Sequence, residues 1–156
     1  EGLALNSEDV DLNSTLGLLH QARDQHDSAL PLLEKAAMAR PSDPSLQLAY
    51  GISTANVRGP RMAAQILATA AERFPSDARP AMALSTLLAK NGDPESAYTV
   101  LERAVAQYAS PDLLLALAGA AKDVGRTAEA ASALRRLSEL TGDPSWNRAA
   151  EGLSED

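Results

Sequence analysis

A chain of 156 residues is long enough to bury one continuous core. Apolar residues make up 45% of it and aromatic residues only 3%; the apolar fraction is mostly Ala and Leu, strong helix formers that favour an all-α protein. The net charge of −7, with no basic run longer than Arg135–Arg136, argues against binding to nucleic acid or to anionic membranes. The absence of cysteine excludes disulfides and thiolate catalysis, and no apolar stretch is long enough to span a membrane.

In chain order, the sequence divides into a short opening segment, four repeat units and a closing segment. Residues 1–9 are predicted to be the last turns of a helix from a preceding unit. Full units are predicted at residues 10–43, 44–77, 78–110 and 111–144. Residues 145–156 are predicted to form the first helix of a fifth unit or a capping helix. We therefore expect one repeat domain over residues 1–156, cut from a longer superhelix.

Each unit carries the same two apolar stripes. The twentieth residue is always Ala and the twenty-fourth is always Leu: Ala29 and Leu33, Ala63 and Leu67, Ala97 and Leu101, Ala130 and Leu134. A period of about 34 residues is typical of a solenoid in which helix pairs stack in a row. Because residues three and four apart share a helix face, we expect two amphipathic helices in every unit.

Small residues and turn residues predict where the helices cross and where they end. The eighth position of each unit is always small: Gly17, Gly51, Ser85 and Ala118. Together with Ala at the twentieth position, it predicts where the two helices of a unit cross. Leu at the twenty-fourth is expected to fill the gap between that crossing and the next unit. Clusters of Gly, Pro, Asn and Asp predict the turns, and Asp43 followed by Pro44 is predicted to cap a helix.

These features resemble the tetratricopeptide repeat (TPR) family. The resemblance rests on the repeated positions above, with Pro41 and Pro75 closing the first two units, and it covers residues 10–144. It implies a right-handed superhelical solenoid of antiparallel helix pairs. The fourth position, often Trp in the family, departs from the pattern: Asn13, Gln47, Ala81 and Leu114. The eleventh position, often Tyr, departs as well: His20, Thr54, Leu88 and Ala121.

The sequence carries no enzyme motif, because GxGxxG, P-loop, HExxH and GxSxG patterns are absent. His20 is predicted to be a structural side chain between helices and His26 to lie in the turn of the first unit, so we expect neither a metal nor a cofactor. The carboxylates are expected on solvated turns and outer faces: Glu8, Asp9, Asp11, Glu34, Glu72, Glu95, Glu102 and Glu129. Trp146 is predicted to pack the last helix onto Leu137 and Leu140.

In the TPR family the first helices line the concave side of the superhelix. The resemblance implies that the second, fifth, ninth, twelfth and thirteenth residues of each unit face a groove. These residues are apolar at the centre and polar at the rim, which suits an amphipathic helix or an extended apolar peptide. The candidate peptide-binding residues are Leu18, Leu48, Ile52, Asn56, Arg79, Met82, Thr86, Lys90, Leu115 and Lys122. The alternative is that some of them only contact neighbouring first helices.

Chaperone-tail binding is not expected. One TPR sub-family holds the acidic C-termini of heat-shock chaperones with a clamp of Lys, Asn and Arg on first helices. The corresponding residues here are Ser14, Leu18, Ala49, Arg79 and Ala83. Arg79 alone fits that clamp, so the resemblance does not extend to this ligand.

Two functions from different classes stay open. The leading hypothesis is a non-catalytic scaffold that binds an apolar or amphipathic segment of a partner protein. The family resemblance places such a scaffold in a larger bacterial protein for envelope assembly, secretion or polysaccharide export. The alternative is a regulatory or substrate-docking arm of an enzyme whose catalytic domain lies outside this segment. Self-association through the solenoid ends is a third hypothesis, and both cytoplasm and periplasm are compatible with the composition.

Overall fold

The computed structural model describes residues 9–153. Within this range the chain is helical, with short turns between helices and no strand. The helices are α1 Val10–Ala22, α2 His26–Ala39, α3 Pro44–Val57, α4 Pro60–Arg73, α5 Ala78–Lys90, α6 Pro94–Gln107, α7 Pro111–Asp123, α8 Thr127–Thr141 and α9 Ser145–Gly152. The prediction of an all-α protein is confirmed, whereas the predicted helical end over residues 1–9 lies almost wholly outside the described range.

Polar side chains fix where the first helices begin. Asp9, Asp43, Asp77 and Ser110 each accept a hydrogen bond from a backbone N–H in the turn that follows, at 2.9 to 3.3 Å. These caps satisfy N–H groups that have no acceptor inside the helix. α3 and α7 also start with Pro, whose missing N–H costs nothing at that position. The predicted cap at Asp43 and Pro44 is confirmed.

The described residues form two compact units, unit 1 and unit 2, divided between Phe74 and Pro75. Each of these compact units contains the helices of two of the four predicted repeats. Unit 1 contains α1 to α4, and unit 2 contains α5 to α9. Within each unit, every helix packs against its neighbours in the sequence, and α1 also touches α3 as α5 touches α7. Because turns of two to four residues join them, neighbouring helices run antiparallel. The prediction of consecutive antiparallel helix pairs is therefore confirmed within each unit.

The core of each unit is built from the two predicted stripes. The alanines at the twentieth position and the leucines at the twenty-fourth are all buried. The fourth position is also internal. Asn13, Ala81 and Leu114 are buried, and the half-buried Gln47 donates from Nε2 to the carbonyl oxygen of Ala37 at 2.8 Å. The core therefore takes Asn, Gln, Ala and Leu where the TPR family often has Trp.

The helix pairs of unit 1 come into tight contact at Gly17 and Gly51. A Cβ atom on Gly17 would lie 2.9 Å from both Cγ and Cδ2 of Leu33. On Gly51 it would lie 2.8 Å from Cγ and 2.6 Å from Cδ2 of Leu67. Leu at the twenty-fourth position thus lies directly over the glycine of its own helix pair, in space that a missing Cβ leaves open. The leucine therefore does not lie only in the expected gap between that crossing and the next repeat.

The last helix packs onto α8 and leaves part of α8 exposed. α9 packs against α8, Leu137 on α8 is buried, and Trp146 on α9 is half-buried. Leu140, however, keeps 52% of its surface exposed. The packing of Trp146 onto Leu137 and Leu140 stays a prediction. No helix in residues 9–153 is both long and apolar enough to cross a bilayer.

Candidate functional site

A cavity of about 330 Å³ lies in unit 2 between α5 and α7, with α6 forming its floor. Three helices therefore contribute to it, and two of them are first helices of predicted repeats. Its lining residues are Met82, Ser85, Thr86, Ala89 and Lys90 from α5, Pro94, Ala97 and Leu101 from α6, and Ala116, Gly119, Ala120 and Asp123 from α7. The first-helix side of unit 2 thus contains a cavity, and peptide binding there stays a prediction.

The cavity exists because its walls carry small side chains. Ala89 on α5 and Ala116 on α7 reach only one carbon from the backbone, and Gly119 has no side chain. A Cβ atom on Gly119 would meet no heavy atom of the described residues within 4 Å beyond its own helix turn. The floor is closed, since Ala97 and Leu101 are each 2% exposed. The result is a mainly apolar depression with a buried floor, which suits an apolar side chain.

Two opposite charges lie at one end of the cavity. Lys90 and Asp123 occupy the thirteenth position of their repeats, in the last turns of α5 and α7. The ion pairs within residues 9–153 include neither of them. A cation is favoured at a helix C-terminus and a carboxylate is disfavoured there. Lys90 is therefore well placed in its own helix, whereas Asp123 adds negative charge to a helix end that is already negative.

The candidate residues of unit 2 divide into two groups. Met82, Thr86 and Lys90 line the cavity. Leu115, which is 47% exposed, and the exposed Lys122 lie outside its lining. Their repeat positions are the fifth and the twelfth, which on α5 point towards the following first helix.

Arg79 is the remaining candidate of unit 2, and it also lies outside the lining. It is exposed and binds Asp77, with a distance of 2.7 Å from Nη2 to Oδ2. This contact holds the pKa of the Asp77 carboxyl below its usual value. Arg79 therefore supports the capping residue of α5.

The candidate residues of unit 1 lie on the first-helix surfaces of α1 and α3. Leu18 is 40% exposed, Leu48 and Ile52 are half-buried, and Asn56 is exposed. Asn56 donates from Nδ2 to the carbonyl oxygen of Ile52 at 2.9 Å, which is a bond within its own helix. Leu18, Leu48 and Ile52 contribute apolar surface to unit 1, and the role of all four residues in binding stays a prediction.

The place in unit 1 that corresponds to the cavity contains a polar bridge. Gln21 on α1 donates from Nε2 to the carbonyl oxygen of Ala49 at 2.8 Å and to Oγ of Ser53 at 3.0 Å. His26 also contacts the Ser53 hydroxyl, with 3.4 Å between its Nδ1 and Oγ of the serine. The predicted position of His26 in the turn is wrong, because His26 is the first residue of α2.

Six of the twelve residues that line the cavity lie outside the predicted groove positions: Ser85, Pro94, Ala97, Leu101, Ala116 and Ala120. Ala97 and Leu101 were assigned to the core, and Ala116 and Ala120 were not assigned to any binding surface. The signal that identifies the floor was present: the Ala at the twentieth position is the smallest side chain beneath the gap between two first helices. A buried stripe residue can thus also line a ligand site when its neighbours on both sides are small.

Glu34 is part of a clamp between α2 and α3, and not the freely solvated carboxylate that the sequence analysis expects. Arg58 donates from Nη1 and Nη2 to its two carboxylate oxygens, each at 2.8 Å, and the Tyr50 hydroxyl donates to Oε1 at 2.9 Å. The Arg58 guanidinium holds the pKa of the Glu34 carboxyl below its usual value, with a further contribution from Tyr50. Burial, and then Glu34, raises the pKa of Tyr50.

A second clamp lies in unit 2. Tyr98 donates its hydroxyl to Glu102 at 2.8 Å, and the guanidinium carbon of Arg126 lies 4.5 Å from the centre of the Tyr98 ring. Arg126 also pairs with Glu95, with 3.1 Å from Nη2 to Oε2. These contacts join α6 to the start of α8 and are structural.

Comparison with solved structures identifies the fold. A MamA protein aligns at a TM-score of 0.66 and 17% identity, over 96% of this chain and 86% of its own. YrrB, described as a TPR protein with an unusual peptide-binding site, aligns at 0.65 and 18% identity, over 96% of this chain and 78% of its own. A chain of the Cut9–Hcn1 hetero-tetramer of the APC/C aligns at 0.66 and 18% identity, over 90% of this chain and 27% of its own.

These likenesses show that the chain has the tetratricopeptide repeat fold. No protein-family model and no curated protein matches the sequence. The fold is therefore present although the fourth and eleventh repeat positions depart from the family pattern. The packing positions that define the fold are kept, while the aromatic residues that mark the family in a sequence are replaced.

Proposed function

We propose that this chain is a non-catalytic protein-interaction scaffold that binds an apolar or amphipathic peptide segment on its first-helix side. The observation that carries the proposal is the α5–α7 cavity, an apolar depression of about 330 Å³ with a buried floor and a charged end. That volume is at the lower limit of typical small-molecule pockets. It matches one or two side chains of a peptide better than a cofactor.

The proposal gains support from two further observations. Met82, at the edge of the cavity, has a flexible and polarizable side chain that adapts to ligands of different shape. YrrB, which has the same fold, is described as a peptide-binding TPR protein. Peptide binding by repeat proteins uses an exposed helix surface and needs no catalytic group.

A matched pair of variants tests the proposal. Met82 lines the cavity, whereas Met38 is 76% exposed on α2, in the other unit. Met82→Asp places a carboxylate in the apolar cavity and should abolish retention of the partner in a pull-down. Met38→Asp makes the same chemical change at a site without a cavity lining and should leave retention unchanged. Circular dichroism of both variants should stay helical, and equal retention by Met82→Asp would overturn the proposal.

The biological setting is a separate proposal that rests on family resemblance. A larger bacterial protein for envelope assembly, secretion or polysaccharide export is the leading setting, and a docking arm of an enzyme is the alternative. The gene that encodes this segment distinguishes them: an adjoining catalytic domain favours the docking arm. An export signal with further repeats favours the envelope role.

A further inference from the structure

The two units differ at the same three repeat positions. In unit 1, Gln21 extends from α1 to α3 and binds the backbone of Ala49 and the hydroxyl of Ser53. In unit 2 these twelfth, sixth and tenth positions are Ala89, Ala116 and Ala120, and all three line the cavity. The same location is thus closed by a side-chain bridge in one unit and open in the other.

We infer that Gln21 is a built-in plug, and that unit 2 is the unit that receives the ligand. We further infer that the ligand is a partner peptide that places one aliphatic side chain in the cavity and a basic side chain beside Asp123. This inference rests on the proposed function and names its site, its stoichiometry and its ligand class. One peptide is bound per chain between α5 and α7.

The residues at the ninth repeat position also make unit 2 more open than unit 1. Unit 1 has Leu18 and Ile52 there, one on each of its first helices. Unit 2 has Thr86 and Gly119, which are smaller and which both line the cavity. The bridge and the bulkier pair therefore leave less room on the first-helix side of unit 1. Their absence from unit 2 leaves room for a side chain from outside.

The shape and chemistry of the lining select an aliphatic side chain. Met82, Ala97, Leu101 and the alanines of α7 surround the space with methyl and methylene groups. A buried charge or amide from the ligand would lose its hydration without a matching partner on this floor. A branched aliphatic side chain gains from the same contacts, because burial of apolar surface is favourable in proportion to its area.

Charge complementarity selects a basic neighbour. Asp123 lies at the cavity end in the last turn of α7, outside every ion pair within residues 9–153. Lys90 lies at the same end of the cavity, but the negative C-terminus of α5 stabilises its charge. The Asp123 carboxylate instead adds to the negative end of the α7 dipole, so a cation from the ligand is favoured beside Asp123. The net charge of −7 acts in the same direction over longer distances and speeds encounter with a basic segment.

Three short synthetic peptides test the ligand class. Each has a Gly/Ser sequence into which the tested residues are placed, an acetylated N-terminus and an amidated C-terminus. The first carries alternating Leu and Arg, the second Leu and Glu, and the third Ala and Arg. Titration of the full chain is followed in ¹H–¹⁵N spectra at physiological ionic strength. The Leu/Arg peptide should move the amide signals of Thr86 and Gly119 to saturation, with an affinity at least tenfold above that of the other two.

Variants that exchange the residues of the two units test the site. Ala89→Gln with Ala120→Ser transplants the plug of unit 1 into unit 2 and should abolish the response to the Leu/Arg peptide. Gln21→Ala with Ser53→Ala is the matched control and should leave the Thr86 and Gly119 response intact. If the plugged variant unfolds, Gly119→Ile, which introduces the residue of unit 1 at that position, replaces it.

The outcomes separate this inference from the proposed function. Asp123→Asn should weaken the Leu/Arg peptide at least threefold. An unchanged affinity in Asp123→Asn, or equal binding of the Leu/Glu peptide, would overturn the ligand class and leave the scaffold function standing. Undiminished binding by the plugged variant would overturn the site. If none of the peptides moves these signals, the inference is overturned, and the pull-down with Met82→Asp still decides the function.

Discussion

Leu33 covers Gly17 so closely that a single added carbon has no room: a Cβ atom on the glycine would lie 2.9 Å from both Cγ and Cδ2 of the leucine. Leu33 is fully buried, so it cannot move aside into solvent. Gly51 and Leu67 repeat the relationship with an even shorter distance of 2.6 Å to Cδ2. Two helix pairs of unit 1 therefore depend on a missing side chain at the eighth repeat position.

The first prediction follows from that contact. Gly17→Ala should destabilise the protein, because overpacking a well-filled core costs about 1–3 kcal/mol. The gain in helix propensity from Gly to Ala, about 1 kcal/mol, offsets only part of this cost. Gly51→Ala should be worse, since its contact is tighter. Urea unfolding followed by circular dichroism measures both effects.

Gly119→Ala is the control for these two variants. The residue is also inside a helix, but a Cβ atom there meets open space among the described residues. The same substitution should therefore stabilise the protein, by about 1 kcal/mol at most. Destabilisation in Gly119→Ala, or no loss in Gly51→Ala, would contradict the packing described here.

The second prediction concerns the turn between α1 and α2. Asp24 has a φ of 57°, in the left-handed region, at the fifteenth repeat position. Gly92 and Gly125 occupy that position in unit 2, with φ values of 83° and 73°. Since a residue with a Cβ pays about 1–2 kcal/mol there, Asp24→Gly should raise the free energy of unfolding. Gly92→Ala should lower it, and thermal unfolding of the two variants tests both signs.

The third prediction is a pH dependence that comes from Glu34. Its pKa is lowered in the folded state, chiefly by the hydrogen bonds from Arg58. A carboxyl with a lowered pKa binds its proton less readily when folded, so it stabilises the protein above its unfolded pKa. That contribution is lost as the pH falls from the ordinary range of a glutamate through the lowered folded value. Glu34→Gln should therefore show a shallower loss of stability between neutral and acidic pH than the wild type.

The fourth prediction concerns Gln21 and the fold of unit 1. Gln21→Ala removes the donor from the carbonyl oxygen of Ala49 and from the hydroxyl of Ser53. Because buried or half-buried acceptors then lose a partner, the free energy of unfolding should fall by about 1–2 kcal/mol. Gln47→Ala, which removes a similar bond to Ala37, is a matched comparison on α3. No loss of stability in Gln21→Ala would show that the bridge is not formed in solution.

The helices could be predicted from the sequence, because two local signals indicate them: the residues at helix starts and the spacing of the buried apolar residues. Asp43 and Pro44 begin α3 at the boundary of a repeat, and Ala63 and Leu67 mark the buried face of α4 with helical spacing. Local signals of this kind do not depend on distant parts of the chain. The predicted all-α fold of antiparallel pairs is confirmed for this reason.

The cavity could be predicted only in part. Met82, Thr86 and Lys90 were identified because their repeat positions imply a common face. Ala97 and Ala116 gave no such signal, since a small residue marks equally well a tight helix crossing and an open space. Gly17 and Gly119 show the two outcomes: the first is covered by Leu33, and the second faces the cavity. The difference depends on which side chain lies opposite, which is a property of the packed structure.

The three methionines of the chain allow the most direct test of the central claim, that the α5–α7 cavity is where a peptide binds. Met82 lines the cavity, whereas Met38 and Met62 are 76% and 45% exposed outside it. With ¹³C-labelled methionine methyl groups, the full chain should give three signals that can be followed during titration with the Leu/Arg peptide. We predict a saturable shift of the Met82 signal while the Met38 and Met62 signals stay in place. A shift of Met38 or Met62 with an unmoved Met82 would contradict the claim.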